Sequence, residues 1–382
     1  MPVNEYLERV RPAVDALNTF RGTLTADLDV DSGGFRYWAG QLDWKTRVLL
    51  ADYLLQTVAG AAEALTSASL AAVDHKENAH AENYAVRQAW RELNRRSAHR
   101  PSTEQYLAAM PRGATVDRRA HRVVASAEQC FFHLGQGLDR IAAAIIIVGG
   151  YGSKDVVEAD WTRIENLRAT AGKPPQIPKN RFDYPAILAA ETPGGEMQRR
   201  LLAATDPTPY GPSAWLSWLR DTRNAMTHRS PSKKMNVMVD GGTFTRVFYR
   251  HPKWSEIQSF VYSAQNDGSG RREHQLAFRQ QFLMKASTDV LDGLCASVTT
   301  MVVHIIESME QCWAARKADP RLVVQHAVQW SKVEPRVTKS SQFDGYGRTL
   351  EPKLDTVALN PADSLRWQAA RVHDSRWTDW NR

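Results

Sequence analysis

Cysteine is scarce in this chain: Cys130, Cys295 and Cys312 are the only three among 382 residues. They lie far apart and show no paired metal-ligand spacing, so neither a zinc knuckle nor a disulfide framework is indicated, and a reducing cytosol is the expected setting. Long uninterrupted apolar runs are also missing. The stretch 48–73 is broken by Asp52 and Glu63, and Ile141 to Val148 is too short to cross a bilayer, so both are expected to be core helices, with no membrane contact. The start, MPVNEYLERVRPAVDAL, has charges where an export signal needs its apolar stretch, which points to a cytoplasmic protein. A G-x-S-x-G elbow, a CxxC pair and a dinucleotide fingerprint are all lacking, which leaves hydrolase-fold and dehydrogenase readings without support. Gly149-Gly150-Tyr151-Gly152 follows a helix rather than a strand, and no Gly-Lys-Ser/Thr comes after it, so it reads as a helix-ending turn and not as a phosphate loop.

What is present is ordinary for a folded chain: 43% hydrophobic and 24% charged residues exclude wholesale disorder. The net charge of +7 favours a partner of negative charge, of which phosphate backbones are the commonest. Arginine far outnumbers lysine, which suits two-pronged contacts to phosphate.

Hydrophobic spacing predicts a mainly α protein in three parts: an accessory helical region over 1–115, a helical bundle over 116–318, and an irregular tail over 319–382 that includes Trp330, Trp367, Trp377 and Trp380. In the first part, helices are separated by polar stretches at Asp29 to Gly34 and Arg95 to Ser102. Tyr53, Leu54, Val58, Ala61, Ala62 and Leu65 recur at helical spacing behind a cap at Asp43. A long amphipathic helix is expected over Asp117 to Ile147, with Val123, Val124, Ala127, Phe131, Leu134, Leu138, Ile141, Ala142 and Ile145 on one stripe, ended by Gly149 and Gly150. Short helices are expected near Ala186 to Ala190 and Met197 to Ala204. A further helix, capped by Ser213, carries Trp215, Leu216, Trp218 and Leu219 and stops near Ser230-Pro231. Of the two tryptophans, core packing is expected for both, with the alternative that one faces a cleft.

Met235 to Val239 and Thr243 to Tyr249 flank Asp240-Gly241-Gly242, the pattern of a β-hairpin, with Ile257 to Tyr262 as a third strand; the insertion spans about 235–263. A third long helix is lined by Leu283, Val290, Leu294, Val298, Met301, Ile305, Met309 and Cys312 and bounded by Pro320.

Three Arg-x4-His pairs occur. Arg246 to His251 falls in the expected second strand with Val247 after the arginine, and Arg321 to His326 has Leu322 there, so both read as coincidence. Arg223 to His228 differs: the polar Asn224 follows the arginine, and the segment closes an amphipathic helix that lies between two longer ones. Residues four apart share a helix face, so the Asn224 amide is within reach of the His228 ring, and His228 closes the helix where the carbonyl end of the dipole attracts a cation. Arg223 and His228 are five residues apart, about 140° around the axis, so a kink or a second chain is needed for both to serve one site. The alternative reading is that Arg, Asn and His at a helix end simply cap carbonyls or pair with nearby acids.

The combination Arg223-Asn224-Ala225-Met226-Thr227-His228 at the end of one helix of a bundle resembles the HEPN superfamily, over roughly residues 117 to 316. That resemblance implies a metal-independent endoribonuclease with no cofactor, of the toxin or anti-phage defence (abortive infection) type. It also implies a homodimer in which two motifs meet at the two-fold axis, with Arg223, Asn224 and His228 catalytic. One departure stands out: where HEPN toxins silenced by nucleotidyltransferase antitoxins have a tyrosine two residues after the histidine, this chain has Ser230.

Glu128, with Thr227, is the candidate supporting residue. Glu128 and His133, both on the long helix, project toward the same bundle in this reading; the alternative is a polar residue satisfied within the bundle. Two rival functions remain at this stage: a non-catalytic HEPN-like module that binds an antitoxin or another defence protein, and a helical sensor that holds nucleic acid without cutting it. Arg118-Arg119, Arg199-Arg200, Arg271-Arg272 and Lys285 are candidates for an RNA-binding rim, or else scattered surface charge. His75, Glu77 and His80 lack the spacing of a zinc-protease helix and are expected at a solvated helix end.

Overall fold

The computed structural model describes residues 5–29, 32–38, 40, 42–151, 156–171, 192–228, 235–239, 243–249, 282–322 and 345–348. Helices dominate these residues. α1 (Glu5–Ala26) leads into a two-stranded antiparallel ladder, β1 (Leu28–Asp29) with β2 (Gly34–Phe35), and then into α2 (Trp44–Arg96). α3 (Thr103–Ala108) and α4 (Ala114–Gly149) follow, then α5 (Trp161–Thr170), α6 (Pro193–Ala203) and α7 (Trp215–His228). A three-stranded antiparallel sheet, β3 (Met235–Val239), β4 (Thr243–Tyr249) and β5 (Phe282–Ala286) in that order, precedes α8 (Ser287–Ala318). The hairpin turn 240–242, the expected helix 186–190, the expected strand 257–262 and the tryptophans of the tail lie outside the described residues, as does Ser230.

Two compact units emerge, each drawn from three separated stretches, whereas the sequence-based division runs along the chain. One comprises Met1–Pro12, Ala64–Gln136 and Pro207–Thr300; the other comprises Ala13–Glu63, Gly137–Asp206 and Met301–Arg382.

In the first unit, Val123, Ala127, Phe131 and Leu134 of α4 are buried as their spacing requires, with Val124 at the margin of the stripe. His75 corrects an expectation. It sits within the 53 residues of α2 rather than at a helix end, it is 0% exposed, and Glu77 and His80 beside it point to solvent. Its Nδ1 is 2.8 Å from the Val123 carbonyl of α4, and its Nε2 is 2.7 Å from Ser287 Oγ at the start of α8. A carbonyl only accepts, so in the neutral ring Nδ1 carries the proton and the Ser287 hydroxyl donates to Nε2. α4 and α8 meet again where the Sγ atoms of Cys130 and Cys295 stand 3.9 Å apart, both as free thiols. The hydrogen bond with Cys295, and then burial, push the Cys130 thiol well above its ordinary pKa. Leu283, expected on the third long helix, belongs instead to β5, where it pairs with Phe248; α8 starts only at Ser287. The apolar run Phe282-Leu283-Met284 suits a half-buried ladder as well as a helix, and periodicity alone does not separate the two.

In the second unit, Asp43 caps α2 as expected, accepting from the Thr46 amide at 2.9 Å. Phe35, Tyr37 and Trp38 pack edge-on against Trp313 of α8, and the Trp313 indole donates to Asp27 at 2.9 Å. α4 ends as a glycine-capped helix. Gly150 takes φ +61, its amide donates to the Ile147 carbonyl, and the Tyr151 amide donates to the Ile146 carbonyl. The buried Arg316 guanidinium donates to the Ile147 and Val148 carbonyls at that same end and lies over the Trp38 ring at 4.9 Å. α5, absent from the helices expected from the sequence, buries Trp161, Ile164 and Leu167 behind an Asp160 cap.

Three helices, Thr46–Arg96, Ala114–Gly149 and Ser287–Ala318, are long and apolar enough to cross a membrane by length and composition. The sequence count rested on uninterrupted apolar runs, which are shorter than the helices that contain them. The most apolar windows are 67%, 72% and 56% buried, so more than half of each is covered by protein.

Candidate functional site

α7 buries Trp215, Leu216, Leu219, Thr222 and Ala225, a stripe at three- and four-residue spacing, and leaves Asp221, Asn224, Thr227 and His228 exposed. Its entry differs from expectation. Ala214, at φ +60, is the residue before the first turn: its carbonyl accepts from the Trp218 amide, and the Trp215 amide is bound to the Pro212 carbonyl. Ser213 therefore lies one position too early to act as the cap. Trp215 is 6% exposed and its indole donates to the Pro207 carbonyl at 2.9 Å. Trp218 is half-buried, edge-on to Phe131 of α4 at 5.4 Å, so both tryptophans serve packing.

Arg223 is half-buried against α4. Its guanidinium arm runs over Gly135: a Cβ at that glycine would lie 2.5 Å from Arg223 Cδ and 2.7 Å from its Nε, inside any tolerable contact. Gly135 is thus the cradle of the arginine. Sequence reasoning passed over it, although a glycine inside an apolar helical stripe costs about 0.5–1 kcal/mol relative to alanine and so asks for a packing reason.

The Phe131 to Trp218 and Gly135 to Arg223 contacts rise together in residue number, so α4 and α7 run in the same sense. Glu128 lies seven residues before Gly135 and His228 five after Arg223, which separates them by roughly 18 Å along that direction at 1.5 Å per residue. The fold thus does not bring Glu128 to His228 within one chain. Among the described residues the buried Glu128 Oε1 has no hydrogen-bond partner, and His133 is half-buried with its ring 5.7 Å from that of Phe132. Thr227 Oγ1 donates to the Arg223 carbonyl at 3.0 Å, so this hydroxyl is spent on the last turns of its own helix. Among the described residues no hydrogen bond joins Asn224 to His228, and both side chains face solvent. Arg223 and His228 point to different sides of α7, as their five-residue spacing dictates.

The other two Arg-x4-His pairs end outside the described residues. Arg321 is held by Asp319 in a two-pronged pair at 2.9 and 3.1 Å. Among the described residues no group of three His, Cys, Asp or Glu side chains gathers to hold a metal ion. What α7 offers is a forked cation seated on a neighbouring helix and, open to solvent, an amide on the next residue and an imidazole about 7.5 Å further along the axis. No family profile, no curated protein and no solved structure matches the chain.

Proposed function

We propose that this chain is a metal-independent endoribonuclease of the HEPN type, acting as a cytosolic homodimer in toxin or anti-phage defence. Its bundle would be HEPN-like, with the β3–β5 sheet as an insertion. The observation that carries the reading is the setting of the motif: Arg223 lies over Gly135 while Asn224 and His228 stand exposed at the end of the same helix. A single chain leaves these groups divergent and wet; a second chain across a two-fold axis supplies the facing half and excludes water.

In such a site His228 transfers the protons and Arg223 braces the charge. The ribose 2′-hydroxyl loses its proton to an imidazole, its oxygen forms a bond to phosphorus, and the bond from phosphorus to the 5′ oxygen breaks as that oxygen is protonated. Arg223 stabilises the phosphorane that lies between, with a planar fork that matches two of its oxygens. The products end in 2′,3′-cyclic phosphate and 5′-hydroxyl.

An aqueous setting is supported by the outer faces of the long helices, where Glu63, Asp74 and Glu77 of α2 and Asp289, Glu307 and Gln311 of α8 are exposed. Such residues rarely face lipid.

The test is incubation of the purified protein with total RNA in the presence of EDTA, followed by analysis of the ends. Cleavage that leaves cyclic phosphate supports the reading. Cleavage that needs a metal and leaves 3′-hydroxyl ends overturns it, and so does the absence of cleavage, which would favour a binding module.

A further inference from the structure

One helical stretch of the chain is strongly basic. Residues 87–122 hold nine arginines and no lysine against three acids, Glu92, Glu104 and Asp117, so this stretch contributes +6 to a chain of net +7. It comprises the end of α2, all of α3 and the start of α4, within the first unit.

A small core of its own sets its shape. Val86 and Trp90 are buried against Tyr106, Ala109 and Met110, the Trp90 indole donates to the Tyr106 carbonyl at 3.0 Å, and the Tyr106 hydroxyl donates to Asn94 at 2.7 Å. Ser102 and Gln105 close α3 with a reciprocal cap, and Arg119 of α4 reaches the Ala81 carbonyl of α2 at 3.4 Å. With the apolar side chains turned inward, the arginines are left outside. Arg87, Arg91, Arg100, Arg112, Arg118 and Arg122 are exposed and, among the described residues, none has a carboxylate partner; Arg95 and Arg96 share Glu92.

Two features set this surface apart from ordinary solvated charge. Arg118 and Arg122, four residues apart on α4, set like charges on one helix face, which is unfavourable unless an anion faces them. The surface also uses only the forked cation, the form suited to phosphate.

We propose that this basic helical hairpin is the surface on which the chain holds the sugar-phosphate backbone of RNA. The inference rests on the reading that the chain acts on RNA, and adds where the strand lies. Arg87, Arg91 and Arg95 advance about 6 Å per step along one side of α2, a row that follows a chain of phosphates rather than gripping a single one. A membrane-bound helix would turn an apolar face outward, whereas Val86, Trp90 and Met110 face inward here. The large apolar side chains exposed nearby are Tyr84, which offers one ring for base stacking, and Leu107. Contacts to the backbone alone carry little sequence preference.

The test uses full-length His228→Ala protein, so that RNA stays intact, with and without the triple change Arg91→Gln, Arg118→Gln and Arg122→Gln. Fluorescence anisotropy follows a labelled single-stranded oligoribonucleotide and the matching duplex through a salt series, and the two slopes tell which form is held. The triple variant is expected to bind roughly tenfold or more weakly, with a slope of log affinity against log salt shallower by about two to three. The corresponding triple lysine variant keeps the slope, because the charges remain. A triple glutamine variant that melts like its parent and keeps both affinity and slope overturns the proposal. Capture of phosphatidylcholine–phosphatidylserine vesicles with no RNA binding also overturns it. Wild-type protein that cuts no RNA while His228→Ala binds through these arginines leaves the surface standing and removes the nuclease reading. The triple change placed in the wild-type chain, if that protein binds and cuts RNA as wild type does, removes the surface and leaves the nuclease reading standing.

Discussion

The Arg223 side chain occupies the volume that any side chain at residue 135 would need. The pairing seats the arginine of the candidate motif against α4, and its arm must shift if residue 135 gains a Cβ. Gly135→Ala is therefore expected to displace the guanidinium and slow RNA cleavage at least about tenfold, while the helix gains about 0.5–1 kcal/mol. Cleavage rates set against a thermal melt check this; an unchanged rate in a well-folded variant separates Arg223 from the reaction.

His228→Ala removes the proton carrier from an exposed position, so cleavage is expected to fall by about 10²–10⁴. Stability should stay within about 0.5 kcal/mol, as for other surface changes. Arg223→Lys should lose most activity as well, because a point charge does not reproduce the fork. Wild-type rates in either variant would dismiss the assigned roles.

Because Arg223 and His228 diverge around α7, one chain alone should be inactive. Light scattering is expected to give the mass of two chains under conditions where cleavage occurs. A monomer that cleaves would sink the composite site.

Burial pushes the Cys312 thiol from 9.0 up to about 11, against a smaller opposing pull from Arg316. Between these values the unfolded chain loses the proton and the folded chain keeps it, so stability present below pH 9 is lost as pH rises toward 11. Burial raises the Tyr37 and Tyr151 hydroxyls too, in the same direction. The unfolding free energy measured by urea titration should fall over this range, by on the order of 2 kcal/mol for the thiol, and Cys312→Ala should flatten that part of the curve. A midpoint that holds steady to pH 11 would contradict the burial of these groups.

Arg316→Leu should destabilise the fold by about 2–3 kcal/mol, because the buried carbonyls at the end of α4 lose charged donors and the Trp38 ring loses its cation. Denaturant unfolding measures it; a neutral effect would mean that packing by leucine repays the lost hydrogen bonds.

Local patterns were readable in the sequence. The α4 stripe, the α7 stripe, the Asp43 cap and the Gly149-Gly150 ending all depend on neighbours within a turn or two, and each stands where periodicity and capping chemistry put it. What joins distant residues was not readable: Gly135 under Arg223, Cys130 beside Cys295, His75 between Val123 and Ser287. No local signal distinguishes a histidine bound for the core from one left in water, and Leu283 shows how a short apolar run serves strand and helix alike. The motif itself was legible as spelling; the seat of its arginine was not.

His75 also says something about the order of events as the chain is made. Its ring is satisfied only when residues 123 and 287 are both in place, one 48 and the other 212 positions further along. A nascent chain that has delivered α2 and α4 but not Ser287 must either leave a polar nitrogen sealed in the interior or keep the helices loosely closed around it. The first unit therefore completes its interior only after the start of α8 has left the ribosome, and a chain truncated before Ser287 should be recognised by the cell's folding machinery as unfinished.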